Sequence, residues 1–173
     1  MPELTELIAE PPGSGSEFGP HLMLDCKGCD YEKINDVQTV FDFLYNLPDR
    51  IGMTKITQPH VFPYSGLVPE DRGVTGVVII AESHLTFHSF VAKDYFFFDL
   101  FSCKPFDTDL VTQYVVDFFG VREYERHEKL RGRDFPRSAV TPSERVAQLL
   151  DPVSLVPSRN GKKRVKAVAS ANR

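Results

Sequence analysis

The stretch Gly73–Cys103 holds three apolar segments in close succession, and it constrains the fold more than any other part of the chain. Gly73–Ala81 is apolar and β-branched, which predicts a buried strand. Leu85–Phe90 and Asp94–Ser102 follow as two further predicted strands, separated by a short turn near residues 91–93. A run of strands without intervening helices indicates an antiparallel sheet.

The elements on either side of this stretch do not alternate strictly between strand and helix. Apolar residues recur at three- and four-residue spacing before Pro48, and a second such pattern lies between a possible cap at Asp107 and Gly120. We predict strands over Phe18–Cys26 and Ile51–Phe62, a polar edge strand over Val121–Leu130, a loop over Pro63–Arg72, and helices over Lys33–Leu47, Thr108–Phe119 and Ser143–Leu150. This order predicts an α+β fold, a two-layer sandwich of an antiparallel sheet with helices packed on one face.

Phenylalanine is concentrated in the predicted strands, where six of the 14 phenylalanines lie between residues 87 and 101. These are Phe87, Phe90, Phe96, Phe97, Phe98 and Phe101. A sheet with helices on one face leaves its other face in need of a cover, and an apolar face of this kind is typical of a subunit interface. We therefore expect a homodimer.

Charge is distributed unevenly along the 173 residues, whose net charge is −4. The last 15 residues hold six basic and no acidic side chains, so the rest of the chain holds 14 basic and 24 acidic side chains. An acidic body of this kind is not typical of a nucleic-acid-binding protein. No apolar run reaches the ~18 residues of a membrane span, and three cysteines do not indicate a disulfide framework, so we expect a cytoplasmic protein.

Composition divides the chain into three predicted parts. Residues 1–17 are rich in proline, glycine and serine and are expected to form a flexible leader. Residues 18–137 form the predicted domain, and residues 138–173 form an extension that ends in a disordered basic tail.

The cysteine pair Cys26-x-x-Cys29 raises the possibility of a metal or redox site, but the pattern is incomplete. A structural zinc site needs four ligands, and the third cysteine stands alone at position 103. A redox pair is typical of a helix start beside a parallel βαβ unit, which is not predicted here. We expect ordinary cysteines at the end of a strand and no metal site.

His84 and His88 are four residues apart and would share one side of a strand. A zinc pair would require a third ligand, and the HExxH pattern is absent, so packed or hydrogen-bonded histidines are the simpler interpretation. Ser83 lacks the flanking glycines of a nucleophile elbow, which argues against a serine hydrolase. Cys103 lacks a cysteine-protease signature.

Taken together, Glu82-Ser83-His84, His88 and a cysteine twenty residues after Ser83 resemble the self-processing core of bacterial and archaeal S-adenosylmethionine decarboxylases. These are pyruvoyl-dependent enzymes of polyamine synthesis. The likeness extends in order over Phe18–Arg137, in the segments FGPHLMLDCKGCD, IGMTKI, GVTG, ESHLTFH, DLFSCKPFD and RGRDFPR.

The resemblance implies that the chain cleaves itself between Glu82 and Ser83. The Ser83 hydroxyl would attack the Glu82 carbonyl to form an ester, assisted by Thr75, which stands where the family usually has serine. His88 would then remove the α-proton of Ser83, and both residues would face one pocket. The products would be a β chain of residues 1–82 and an α chain of residues 83–173 that begins with a pyruvoyl group made from Ser83.

The same resemblance implies the chemistry of turnover. The pyruvoyl carbonyl would form a Schiff base with a small-molecule amine substrate and accept electrons as CO₂ leaves. Cys103 matches the residue that returns a proton to carbon. Sites at or near the interface of a homodimer are also implied.

The sequence departs from the family immediately after His88. Where S-adenosylmethionine decarboxylases usually read Thr-aromatic-Pro-Glu, this chain reads Ser89-Phe90-Val91-Ala92. The family glutamate holds both ribose hydroxyls of the nucleoside, which an alanine cannot do. Losing a hydrogen bond to a charged group costs about 1.5–3 kcal/mol.

Two substrate readings follow from this departure. In the preferred reading the substrate is a basic amino acid, L-ornithine or L-arginine, whose cationic side chain pairs with Asp25, Glu70 or Asp94. In the alternative the enzyme still decarboxylates S-adenosylmethionine, making the aminopropyl donor for spermidine, with Asp94 or Glu70 holding the ribose. A non-catalytic activating subunit of a paralogue is a third interpretation.

Overall fold

Six strands form one sheet in the computed structural model, which describes residues 17–133 and 135. The strands are β1 (Gly19–Lys27), β2 (His60–Tyr64), β3 (Gly73–Ile80), β4 (Ser83–Phe90), β5 (Tyr95–Ser102) and β6 (Glu123–Arg131). Their order across the sheet is β2-β3-β4-β5-β1-β6, and all five neighbouring pairs are antiparallel. The helices are α1 (Tyr31–Asn35), α2 (Val37–Arg50) and α3 (Thr108–Phe119).

One face of the sheet packs against the helices and forms the hydrophobic core. Alternate residues of β1, β4 and β5 are fully buried there, including Leu24, Phe87 and Phe98. Phe43 of α2 packs edge-on against Phe98, with 5.7 Å between ring centroids. Phe119 of α3 stacks on Phe87 at 5.0 Å. The predicted α+β sandwich, with an antiparallel sheet and helices on one face, is confirmed.

The other face carries the remaining half of each strand's side chains and is more exposed. Large aromatic side chains on this face are accessible to solvent: the exposed fraction is 55% for Phe62, 47% for Tyr64 and 38% for Phe97. We call this surface the open face. Because single chains rarely expose so many aromatic side chains together, the open face is suited to cover by another protein surface.

Three predicted elements differ from the structure. The helix predicted over Lys33–Leu47 is two helices, because Asp36 leaves the helical conformation and its carboxylate accepts a 2.7 Å hydrogen bond from Thr39 N–H to cap α2. Pro48 does not end α2, since it lies in the last turn, which runs to Arg50.

The strand predicted over Ile51–Phe62 forms only at its end, as β2. Pro63 was expected in a loop but lies within β2, which is an edge strand and tolerates a residue without an N–H. Residues 51–59 instead pass the end of β3, where Lys55 forms an isolated bridge with Ile80.

The other elements are confirmed within the described residues. Asp107 caps α3 through a 2.9 Å hydrogen bond from Leu110 N–H, and Gly120 ends it with φ of +62°. β6 is an edge strand, as its polar sequence predicted. The leader, the C-terminal extension and the helix predicted over Ser143–Leu150 lie outside the described residues, apart from Glu17 at the end of the leader.

Candidate active site

The connection between β3 and β4 contains the peptide bond that was predicted to break. Ala81 and Glu82 form this two-residue turn, and Ser83 begins β4 opposite Ile80. Ser83 has a φ of +154°, one of two positive φ values at non-glycine residues in the described part of the chain. Such a conformation is disfavoured for residues with a Cβ and is held only where the surroundings enforce it. The predicted cleavage site is therefore a strained position.

The carbonyl oxygen of Glu82 accepts a hydrogen bond from the backbone N–H of Cys103, with 2.9 Å between the two atoms. The register of β4 and β5 produces this contact. Ser83 pairs with Ser102, so the residue before Ser83 lies opposite the residue after Ser102. An N–H aimed at a carbonyl oxygen polarises the carbonyl and would stabilise an oxyanion there. Cys103 thus lies beside the peptide bond that was predicted to break.

Residues 54–56 form hydrogen bonds with the same turn and with the end of β3. The N–H of Thr54 donates to the Glu82 carboxylate at 3.0 Å, and Ala81 N–H donates to the Thr54 carbonyl at 2.8 Å. Ile56 N–H continues the contact to the Ile79 carbonyl at 2.9 Å. These bonds hold the Glu82 side chain and the backbone of Ala81, the residue before it.

Ser83 itself contacts the next residue. Its Oγ lies 3.1 Å from Nδ1 of His84, within hydrogen-bonding distance. The His84 ring meets Phe101 of β5 edge-on, with 6.0 Å between centroids. A histidine beside the serine was visible in the sequence, but its side-chain contact with Ser83 was not predicted.

Thr75 and His88 form a second group on the open face. They are directly opposite each other in the β3–β4 register, and Thr75 Oγ1 lies 2.5 Å from His88 Nδ1. Phe90 packs edge-on against the His88 ring at 4.6 Å. Burial lowers the pKa of His88, which favours the neutral imidazole that can accept a proton.

The two groups do not meet within one chain. Ser83 and His88 are five residues apart on the same strand, which corresponds to about 16 Å at a rise of about 3.3 Å per residue. The structure therefore brings Glu82, Ser83 and Cys103 together at one end of β4, and Thr75 and His88 together farther along it. The single pocket expected for Ser83 and His88 is not formed by these residues of one chain alone.

The three candidate substrate carboxylates lie in different places. Asp94 has a φ of +52° and accepts a 2.8 Å hydrogen bond from Cys29 N–H, so its side chain is used to hold the turn between β4 and β5. Glu70 is exposed in a short 3₁₀ turn. Asp25 pairs with Phe97, which pairs with His88, so Asp25 belongs to the same cross-strand row as the Thr75–His88 group.

The segment that departs from the family pattern has a structural role here. Ser89 is fully buried, donates to the Ile34 carbonyl at 2.8 Å and accepts from Val74 N–H at 2.8 Å. Ala92 is exposed in a short 3₁₀ turn over Val91–Lys93. Ser89 therefore ties β4 to α1 and β3, while Ala92 offers no polar group to a ligand.

The cysteine pair lies in the core rather than at the site. Cys26 and Cys29 are buried, and burial raises the pKa of Cys29 to about 12 and that of Cys26 further. Thiols of this kind remain protonated and are poor nucleophiles and poor metal ligands. Across residues 17–133, no group of three or more side chains is arranged to hold a metal ion.

Similar proteins share both the sequence and the fold of this region. The sequence profile of the S-adenosylmethionine decarboxylase family matches residues 20–132. An S-adenosylmethionine decarboxylase proenzyme of Geobacillus kaustophilus is 31% identical over 115 residues, which cover 66% of this chain and 88% of the relative. One of Bacillus velezensis is 32% identical over 115 residues, covering 66% and 86%.

A solved structure supports the fold. The adenosylmethionine decarboxylase of Aquifex aeolicus superposes with a TM-score of 0.59 at 22% identity, covering 72% of this chain and 98% of that one. Within the described part of the chain, no helix is long and apolar enough to cross a membrane. The residue range matched by the family profile contains both groups of candidate residues.

Proposed function

Because the chain belongs to the S-adenosylmethionine decarboxylase family, we propose that it decarboxylates S-adenosylmethionine with a pyruvoyl group made from its own Ser83. The family assignment makes it a pyruvoyl-dependent decarboxylase of polyamine biosynthesis. The observation that carries the assignment of Ser83 is the junction geometry. A strained serine follows a carbonyl that already accepts a hydrogen bond from Cys103 N–H.

The residues of the junction suit the formation of that group. Ser83 directly follows Glu82, so its Oγ is the hydroxyl next to the Glu82 carbonyl carbon in the chain. Cys103 N–H can stabilise the negative charge that develops on the Glu82 carbonyl oxygen. Thr54 keeps the Glu82 side chain in place while the backbone rearranges. Once formed, the pyruvoyl group supplies a carbonyl that accepts electrons as CO₂ leaves.

The thiol of Cys103 is the proton donor in this proposal. The residue follows β5 directly and is half-buried, and its backbone is bonded to Glu82, the neighbour of Ser83. A proton held on Sγ at this position can be returned to the substrate carbon after CO₂ leaves. The same residue therefore serves processing through its N–H and turnover through its thiol.

We propose further that the site is completed by a second copy of the chain. His88 lies about 16 Å from Ser83 along β4, and Thr75 lies opposite His88 on β3, so neither side chain reaches Ser83 within one protomer. Both belong to the open face, where exposed Phe62, Tyr64 and Phe97 need a cover. In a homodimer joined through this face, His88 of one protomer removes the α-proton of Ser83 in its partner.

The comparisons support S-adenosylmethionine better than the basic amino acid that the sequence favoured, since the relatives reported above are S-adenosylmethionine decarboxylase proenzymes. L-Ornithine or L-arginine remains a second candidate because of two observations. Ala92 cannot bind the ribose, and Asp94 is already engaged by Cys29 N–H. Asp25, in the row of His88, suits a cationic group, which both kinds of substrate carry.

Two measurements test this function. The intact mass of the purified protein should show two chains of 82 and 91 residues rather than one of 173. CO₂ release should then be measured with S-adenosylmethionine, L-ornithine and L-arginine in parallel, with Ser83→Ala as the inactive control. Turnover of an amino acid without turnover of S-adenosylmethionine would assign the second candidate. A whole, inactive chain would instead support the activating subunit.

A further inference from the structure

We propose that His84 is the general base of self-cleavage, taking the hydroxyl proton of Ser83 as Ser83 Oγ attacks the carbonyl carbon of Glu82. The inference rests on the proposed function, because it concerns how the serine that becomes the pyruvoyl group is activated. It assigns a reaction role to a histidine that the sequence suggested was only packed or hydrogen-bonded.

The geometry meets the first requirement for a base, which is contact with the proton it removes. Nδ1 of His84 lies 3.1 Å from Ser83 Oγ, within the range of about 2.6–3.2 Å that proton transfer needs. The imidazole is held in this position by its edge-on contact with Phe101. Phe101 is held in turn by the guanidinium of Arg131, which lies 4.0 Å from the ring centroid.

Three other candidate bases have contacts that do not include Ser83 Oγ. His88 Nδ1 is 2.5 Å from Thr75 Oγ1, and His88 belongs to the distant group on β4. The Glu82 carboxylate accepts from Thr54 N–H. His21 packs on Phe101 from β1, and its Nε2 lies 3.4 Å from the Asp99 carboxylate without a hydrogen bond to any described residue.

The step is an isomerisation and needs no other reactant. The Ser83 O–H bond breaks and its proton passes to Nδ1 of His84, while Oγ forms a bond to the Glu82 carbonyl carbon. The carbonyl electron pair moves to the oxygen, where Cys103 N–H stabilises it. When the oxygen re-forms its double bond, the carbon–nitrogen bond breaks and the Ser83 nitrogen takes the proton back from His84, leaving an ester and a free amine.

A general base contributes about 10²- to 10⁴-fold to a rate. We therefore expect the His84→Ala precursor to split at least about 10²-fold more slowly than the wild-type chain, as measured by intact mass over time. Added imidazole should restore much of the rate, because His84 is only partly buried and its place is open to a small base. His21→Ala is the matched control, since it removes another histidine from the same Phe101 ring and should leave cleavage unchanged.

Hydroxylamine identifies the step at which a variant stops, because it cleaves esters and leaves amides intact. The His84→Ala precursor should resist it, whereas a His88→Ala precursor, blocked after the ester forms, should be split by it. His84→Gln, checked by circular dichroism, covers the case in which His84→Ala does not fold.

The outcomes separate this inference from the function on which it rests. A wild-type chain that stays whole would refute self-processing, and the role of His84 with it. A wild-type chain that splits while folded His84→Ala and His84→Gln chains split equally fast would refute only the role of His84. A His84 variant that accumulates a hydroxylamine-sensitive ester would also overturn it, because His84 would then act after the ester has formed.

Discussion

Cys103 N–H donates a 2.9 Å hydrogen bond to the carbonyl oxygen of Glu82, the residue that precedes the serine of the proposed cleavage site. The two residues are twenty-one positions apart and meet because β4 and β5 pair with Ser83 opposite Ser102. The contact allows the two roles proposed for Cys103 to be separated by experiment. Its backbone N–H is proposed to assist cleavage, and its thiol is proposed to assist decarboxylation.

Substitution of Ser83 by alanine should abolish cleavage. The variant lacks the oxygen that attacks Glu82, so its intact mass should remain that of a single 173-residue chain. The wild-type chain, prepared in parallel, should give fragments of 82 and 91 residues. Appearance of the same two fragments from Ser83→Ala would show that another residue makes the cut.

Two substitutions at Cys103 should separate its backbone from its thiol. Cys103→Ala keeps the N–H, so the chain should still split, but CO₂ release should fall about 10²- to 10⁴-fold because the proton donor is lost. Cys103→Pro removes the N–H donor, so cleavage itself should slow. Chain masses and CO₂ release, measured on the same samples, compare the two. Equal cleavage by both variants would contradict the role of the N–H.

Mixed dimers should reveal whether a site is shared between protomers. A Ser83→Ala chain cannot be cut but supplies His88, whereas a His88→Ala chain supplies Ser83. When the two are produced together with different tags, the His88→Ala chain should split. Produced alone, the Ser83→Ala chain should remain whole and the His88→Ala chain should not split completely. If the His88→Ala chain remains whole in the mixed dimer, His88 does not act across the interface.

Ser89 should be important for stability even though it belongs to the segment that departs from the family pattern. Its buried hydroxyl serves Val74 N–H and the Ile34 carbonyl, so Ser89→Ala leaves both without a partner. We expect a loss of about 1–3 kcal/mol in the free energy of unfolding, measured by urea denaturation. Ser65→Ala, in an exposed loop, should change it by less than about 0.5 kcal/mol. Similar losses in both variants would contradict this role of Ser89.

Acid should destabilise the precursor through its half-buried histidines. Burial lowers the pKa of both His21 and His88, so the unfolded chain takes up protons at a higher pH than the folded chain does. Stability is therefore highest above the ordinary histidine pKa of about 6.5 and falls as the pH drops below it. Melting temperatures of the uncut Ser83→Ala chain at several pH values measure the effect. Adding His21→Gln and His88→Gln should reduce the decline below pH 6.5.

Local sequence patterns predicted much of the fold. The alternation in β4 and β5 and the caps of α3 at Asp107 and Gly120 depend on neighbouring residues and are readable along the chain. Three predictions were wrong, because a local cap in one case and tertiary position in the other two prevailed over the sequence pattern. Asp36 caps α2 and divides the predicted helix, Pro63 is accepted at a sheet edge, and residues 51–59 follow the end of β3 instead of forming a strand.

The sequence by itself determined the residue types of the site, because Glu82, Ser83, His88 and Cys103 occur at a recognisable spacing. It also showed an alanine, Ala92, where the resemblance to the family implies a ribose-binding glutamate. Only the tertiary structure placed Cys103 N–H on the Glu82 carbonyl and His84 Nδ1 on Ser83 Oγ. The physical reason is that strand register and side-chain packing decide which atoms meet. Register pairs residues as far apart in the sequence as Ser83 and Ser102, and a one-residue slip would move each side chain to the opposite face.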